Sequence, residues 1–309
     1  MNPKGGTELQ HHFLEHYVGE DLLSKFQICT SIPGKIPMSS DKINILWQKN
    51  SYDQPNIAPW FEDKSNHNKF DWYVFNSHWN YEKYRYKFDV PTHKCHVIKN
   101  GVTNFPKRIP FTKGDRVRML FQITPWRGLN VLLGAMQQLQ NENVELDVYS
   151  SCKIYGEEFE KQNEHIYEPL YEQARKLPNV NYIGYREHSF IQKMIYRYHL
   201  FAYPSIWEET SCNSALEAMA GGLYCIVTNF GALYETCSEF PIYVTYDKNY
   251  RNLSQAFAHA IRGAITTIHE PEVHEHLLMQ QEFTKKFYSW DKKKLEWTNF
   301  LTGVLNEKS

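Results

Sequence analysis

The chain has 309 residues, 42% of them hydrophobic and 22% charged, a balance that fits a soluble globular protein and leaves room for two ordinary domains. A formal net charge of −1 supplies no general field for nucleic acid or an anionic membrane. No apolar run approaches the ~18 residues of a membrane span, and the opening MNPKGGTELQ lacks an apolar signal region.

In chain order, GGTELQHHFLEHY reads as a glycine loop opening a helix. His11, His12 and His16 share that helix. Without an H-E-x-x-H carboxylate they read as a wet face rather than a zinc site. KFQICTSI, INILWQK and FDWYVFNS read as strands, and HWNYEKYRYKF as the helix after them. Its Tyr, Lys and Arg could stack on sugars or on nucleic acid, but an amphipathic helix with half-buried tyrosines is the simpler account. HKCHVIKNGV is a short strand ending in a turn at Asn100-Gly101, and NFPKRIPFTKGDR, rich in Pro and charge, reads as a linker.

The second half alternates more plainly. VRMLFQIT is a strand, and RGLNVLLGAMQQLQ a helix with Leu129, Leu132, Leu133 and Met136 on one stripe. VELDVYSS, VNYIGY, HLFAYPS and LYCIVTN are further strands, with helices at YEPLYEQARKL and SFIQKMIYRY. A final helix, SWDKKKLEWTNFLTGVL, carries Trp290, Leu295, Trp297 and Leu301. Alternation of this kind predicts an α/β fold with parallel, Rossmann-like sheets. Six scattered cysteines with no C-x-x-C indicate reduced thiols in a cytoplasmic protein.

The stretch WEETSCNSALEAMAGG follows an apolar strand and opens a helix. Thr210 or Ser211 is the expected N-cap. The backbone N–H groups of Cys212, Asn213 and Ser214, with the helix dipole, would then seat a phosphate. Glu217, a turn further on, could accept hydrogen bonds from two neighbouring hydroxyls, as on a ribose, and Glu209 would face what lies beyond the phosphates. That order of hydroxyls, diphosphate and hydroxyls is the order of a nucleotide sugar. No D-x-D occurs, and Glu145-Leu146-Asp147 lies inside an expected strand, so no metal is expected. No G-x-G-x-x-G follows a strand, which argues against a nicotinamide dehydrogenase.

YPSIWEETSCNSALEAMAGG resembles the E-x7-E motif of the retaining GT-B glycosyltransferases of glycosyltransferase family 4. LFQITPWRGLNVLLGAM and NVNYIGYREHSFIQKMIYRYHLFAYPS resemble the family's first donor-domain unit and its base-binding loop, while KGGTEL, DWYVFNS and VIKNGV match more weakly. The resemblance implies two Rossmann-like domains facing a cleft. Residues 1–106 would form a small acceptor-side domain, to which the helix at 289–309 crosses back, and residues 107–288 would bind the donor. It implies that Glu217 holds the ribose and Glu209 the donor sugar, with Cys212, Asn213 and Ser214 on the diphosphate. Arg127 would neutralise the leaving group, Tyr185 and Arg186 would lie at the base, and Gly5 and Gly6 would form the N-terminal glycine loop on the donor.

Three positions depart from the family pattern. Only four residues precede Gly5-Gly6, so the first strand is expected to be missing or trimmed. Gln122 stands where an Arg is common, leaving Arg127 as the main cation. Gln48 occupies the acceptor-side catalytic slot in which many members have a His. The implied activity is metal-independent and cofactor-free transfer, with retention, from a UDP- or GDP-sugar to a glycan, lipid-linked or small-molecule acceptor, with peripheral membrane contact and oligomeric state left open. A non-catalytic nucleotide-sugar-binding module, or a transferase acting on modified nucleic-acid bases, are the alternatives.

Overall fold

A computed structural model of the chain describes residues 5–308. The first four residues of the expected acceptor-side domain lie outside the described residues. The chain forms two compact units. One contains Gly6–Thr103, Glu209–Ser211 and the chain from Lys286 onward; the other contains Gly5, Asn104–Glu208 and Cys212–Lys285.

The first unit opens with α1 (Gly6–Val18), its first element among the described residues, and a short α2 (Glu20–Leu23). Its sheet contains β1 (Phe26–Thr30), β2 (Ile43–Gln48), β3 (Trp72–Phe75) and β4 (Cys95–Val97), all parallel and in that spatial order. β2 is buried at every position, as a strand covered on both faces must be. Alternation sends Ile43, Ile45 and Trp47 to one face and Leu46 to the other.

The first face packs on Leu14 of α1 and on Trp290, Trp297 and Leu301 of the C-terminal helix. Leu295 of that helix is exposed, unlike the three residues expected with it. The second face is covered by α3 (Ala58–Glu62) and α4 (His78–Phe88), through Phe61, Tyr84 and Phe88. Ser77 caps α4 by accepting from the Asn80 N–H at 3.0 Å. Tyr84 is buried, whereas Tyr86 is exposed.

The second unit carries β5 (Val117–Phe121), α5 (Leu129–Gln137), β6 (Val144–Val148), α6 (Glu157–Lys176), β7 (Val180–Tyr182), α7 (His188–Met194), β8 (Leu200–Tyr203), α8 (Asn213–Ala220), β9 (Tyr224–Thr228), α9 (Leu233–Cys237), β10 (Ile242–Val244), α10 (Tyr250–Thr267) and α11 (Pro271–Tyr288); the C-terminal helix of the first unit, Trp290–Lys308, is α12. The strand order is β10-β9-β8-β5-β6-β7, all parallel. The expected stripe on α5 is fully buried at Leu129, Leu132, Leu133 and Met136.

α6 starts ten residues before its expected onset, at Glu157 rather than Tyr167. Its first turn holds Glu157, Glu158 and Glu160, which suit a helix N-terminus but give no apolar stripe to read. The expected linker is irregular in backbone, yet Arg108 ties it down: its Nε donates to the Gly222 carbonyl at 2.9 Å and its guanidinium meets His274. Among the described residues no disulfide forms, and no helix is long and apolar enough to cross a membrane.

Candidate functional site

β5 and β8 are the neighbours at which the strand order reverses. Beyond their carboxyl ends lies the place where open parallel sheets bind ligands. Gln122 follows β5, and a 3-10 turn at Pro125–Arg127 comes next. Pro204, Ser205 and Trp207 follow β8.

Gly128 lets the two loops meet. Its φ is +117°, and a Cβ there would sit 2.1 Å from the Pro204 carbonyl oxygen. Only glycine fits both the conformation and the space. The Arg127 guanidinium carbon then lies 5.2 Å from the centroid of the Trp207 ring, within cation–π range.

α8 begins one to two residues later than expected, with Cys212 rather than Thr210 or Ser211 at the N-cap. The two hydroxyls are engaged elsewhere: Thr210 Oγ1 donates to the Lys49 carbonyl at 2.7 Å, and Ser211 Oγ accepts from Asn100 Nδ2 at 3.3 Å. The first bond of the helical ladder runs from the Leu216 N–H to the Cys212 carbonyl at 3.1 Å. The four N–H groups that precede the ladder therefore belong to Cys212, Asn213, Ser214 and Ala215, a set that contains the three expected ones. Cys212 is buried, and Ser214 Oγ donates to the Gln122 carbonyl at 3.4 Å, which ties α8 to the end of β5.

Glu217 is held from two sides. Gln122 Nε2 donates to Oε2 at 3.1 Å, and His188 Nε2 hydrogen-bonds Oε1. Burial by itself pulls the His188 pKa down, but the charge and the hydrogen bond of Glu217 outweigh it and raise it above the ordinary 6.5. A carboxylate offers about four lone-pair sites, so two donors leave capacity for two hydroxyls. His188 carried no motif of its own; its one cue is its place within YREHSF, two residues after Arg186 of the expected base loop. Its separation of 29 residues from Glu217 concealed the pairing.

The other expected residues fall as follows. Tyr185 is half-buried and Arg186 exposed in the loop after β7, where Arg186 Nη1 donates to the Tyr185 carbonyl at 2.8 Å. Gln122, Ser214 and Glu217 thus come together with His188, and Arg127 lies on Trp207. Glu209 is buried and groups with the first unit. Gln48, at the end of β2, is fully buried, and its Oε1 accepts from the Asn50 N–H at 2.9 Å, so it fixes the turn there. Gly5 is buried, and Gly6 is the exposed first residue of α1.

The acids of β6 are spent on structure. Asp147 accepts from Tyr198 at 2.7 Å and from Asn181 at 2.8 Å, and Glu145 pairs with Arg118 at 3.2 Å. Among the described residues no group of three or more His, Cys, Asp or Glu side chains could hold a metal ion.

The chain resembles several solved structures across most of its length. Sucrose-phosphate synthase of Thermosynechococcus elongatus matches at 15% identity and a TM-score of 0.68, over 97% of this chain and 79% of that one. A glycosyltransferase of Rickettsia africae matches at 13% identity and a TM-score of 0.64, over 99% and 83%. Anabaena HepE, solved in complex with UDP-glucose, matches at 15% identity and a TM-score of 0.60, over 85% and 72%. These likenesses show the fold, an α/β arrangement of two parallel sheets of the GT-B glycosyltransferase type. Comparison with curated protein sequences finds no match. The family described as glycosyl transferases group 1 matches residues 103–267, just over half of the chain, a span that contains the Gln122–Glu217 pair, His188 and the Arg127 turn. The chain belongs to the glycosyl transferases group 1, and it is a glycosyltransferase.

Proposed function

We propose that the protein transfers a sugar from a UDP- or GDP-sugar to a glycan, lipid-linked or small-molecule acceptor, with retention at the anomeric carbon and without a metal. The observation that carries this reading is Glu217, fixed by Gln122 and His188 about one turn into α8, beyond the carboxyl ends of β5 and β8. A carboxylate so held suits a pair of ribose hydroxyls. The N-terminal turn of α8 suits the diphosphate, and Arg127, steadied on Trp207, suits the charge that grows on the leaving group. Glu209 is the residue assigned to the donor sugar. The complex of Anabaena HepE with UDP-glucose favours a UDP-sugar as the first donor to try.

Breaking the sugar–phosphate bond leaves its electron pair on the diphosphate, and preorganised donors of this kind each supply ~3 kcal/mol of transition-state stabilisation. In the retaining route the acceptor hydroxyl attacks from the face the diphosphate leaves, and its proton passes to a phosphate oxygen. No protein nucleophile is required. The test is calorimetry with UDP, GDP, ADP and their sugars, followed by donor consumption with a panel of acceptors. Binding of a nucleoside diphosphate that Glu217→Ala abolishes supports the reading, and binding indifferent to Glu217→Ala defeats it.

A further inference from the structure

A second polar network occupies the first unit, at the carboxyl ends of β2, β3 and β4. Lys49 follows β2, Asn76 follows β3 and Asn100 follows β4. Together they grip the segment Glu209–Ser211. The Thr210 hydroxyl donates to the Lys49 carbonyl at 2.7 Å and accepts from Asn76 Nδ2 at 3.1 Å. Asn76 Oδ1 in turn accepts from Asn80 Nδ2 at 3.0 Å. Ser211 Oγ accepts from Asn100 Nδ2, and Asn100 Oδ1 accepts from Lys49 Nζ at 2.6 Å.

Two features show that the network is built rather than incidental. The turn carrying Asn100 is clamped from α1: Gln10 Nε2 donates to the Gly101 carbonyl at 2.7 Å, and Gln10 Oε1 accepts from the Gly101 N–H at 3.0 Å. Lys49 is buried, with its Nζ 3.6 Å from the centroid of the Trp47 ring. Burial drives the Lys49 pKa well below the ordinary lysine value, and a buried amine persists only where it finds a hydrogen-bond partner. Gln10, Asn76, Asn100 and Thr210 are likewise buried, and the hydrogen bonds that pair their side chains fix geometry.

The segment so held carries Glu209, itself buried and directly preceding Thr210. We propose that Thr210, locked by Lys49 and Asn76 beside a Ser211 held by Asn100, is a positioning residue that sets Glu209 for the transfer step. The proposal rests on the reading of Glu209 as the donor-sugar residue. Its consequence is selective. The Thr210 hydroxyl governs the rate of transfer, while nucleotide affinity, which depends on Glu217 and α8, is untouched.

The experiment pairs Thr210→Val, which keeps the shape and removes the hydroxyl, with Thr210→Ser, which keeps the hydroxyl. UDP and GDP affinity is measured by calorimetry, and kcat by consumption of the donor that binds. The expected result is a fall in kcat of about tenfold in Thr210→Val, the worth of one buried hydrogen bond, with Kd for the nucleotide unchanged and kcat restored in Thr210→Ser. Wild-type kcat in Thr210→Val overturns the proposal. So does an equal loss in Thr210→Ser, or a parallel loss of nucleotide affinity. If the unaltered protein neither binds a nucleoside diphosphate nor consumes a donor, the proposed function fails and this role with it; transfer by the wild type beside an unimpaired Thr210→Val removes the role alone.

Discussion

His188 hydrogen-bonds the same carboxylate that Gln122 holds, so Glu217 is aimed by one neutral and one titratable donor. The raised pKa of His188 makes this arrangement sensitive to pH. In the unfolded chain His188 titrates near its ordinary 6.5, and in the folded chain above it. The stabilisation from the pair is therefore complete below pH ~6.5 and is lost as pH rises through the folded value. Removing the side chain in His188→Ala should cost about 1.5–3 kcal/mol at pH 6, the worth of a hydrogen bond to a charged group. That gap should narrow toward pH 9. Thermal unfolding of the two proteins across this range measures it, and a gap that is flat or widens with pH rejects the assignment.

Nucleotide affinity should follow the same pair. Without His188 the Glu217 carboxylate keeps Gln122 alone, so Kd for the bound nucleoside diphosphate should rise about three- to tenfold at pH 6. Calorimetry at pH 6 and pH 9 tests this. The wild type should lose affinity as pH rises, and His188→Ala should show little dependence on pH.

Gly128 offers a test of how the site is assembled. With φ at +117° and 2.1 Å between an added Cβ and the Pro204 oxygen, Gly128→Ala must displace the backbone of one loop. The expected cost is at least ~2 kcal/mol, read from the urea midpoint, together with a loss of transfer as Arg127 leaves Trp207. Gly263 is the control. It lies inside α10 with nothing within 4 Å of its added Cβ, so Gly263→Ala should be neutral or stabilising by up to ~1 kcal/mol.

What the sequence revealed, and what it hid, divides by range. The run INILWQ and the stripe Leu129, Leu132, Leu133, Met136 are local patterns, and both fold as their periods require. The E-x7-E stretch was legible because strand, loop and helix follow within twenty residues. The network around Thr210 was not, because its bond to Lys49 spans 161 residues and that of Ser211 to Asn100 spans 111. The misplaced start of α8 has the same origin. Thr210 and Ser211 are good capping residues by type, yet their hydroxyls are committed to partners that no local window contains. Helices α10 and α11 passed unread, although Asn249 caps α10 through the Arg251 and Asn252 N–H groups at 3.0 and 3.4 Å.

Chelation should leave transfer intact. The acids of β6 are occupied by Tyr198, Asn181 and Arg118, and the described residues offer no cluster able to hold a metal. With EDTA present, kcat should stay within about twofold of its untreated value if, as proposed, Arg127 and the α8 turn meet the charge on the leaving diphosphate. Loss of activity that Mn²⁺ restores would show that these groups do not suffice.

Arg127 should then carry the largest single effect on rate. It is the cation that the Pro125–Arg127 turn places beyond β5, and its contact with Trp207 limits the directions its guanidinium takes. Arg127→Ala should lower kcat about 100-fold and change the unfolding temperature little, because the side chain is only half-buried. Arg127→Lys keeps the charge but not the planar fork or the stacking, so it should recover part of the rate. Trp207→Leu removes the ring that orients the guanidinium and leaves the charge in place, so its kcat should fall between those of wild type and Arg127→Ala. Combined with Arg127→Ala it should cost nothing further, since a residue that acts only through Arg127 has no effect once Arg127 is gone; steady-state kinetics of the four proteins at saturating donor decide it, and additive losses would show that Trp207 touches the substrate itself.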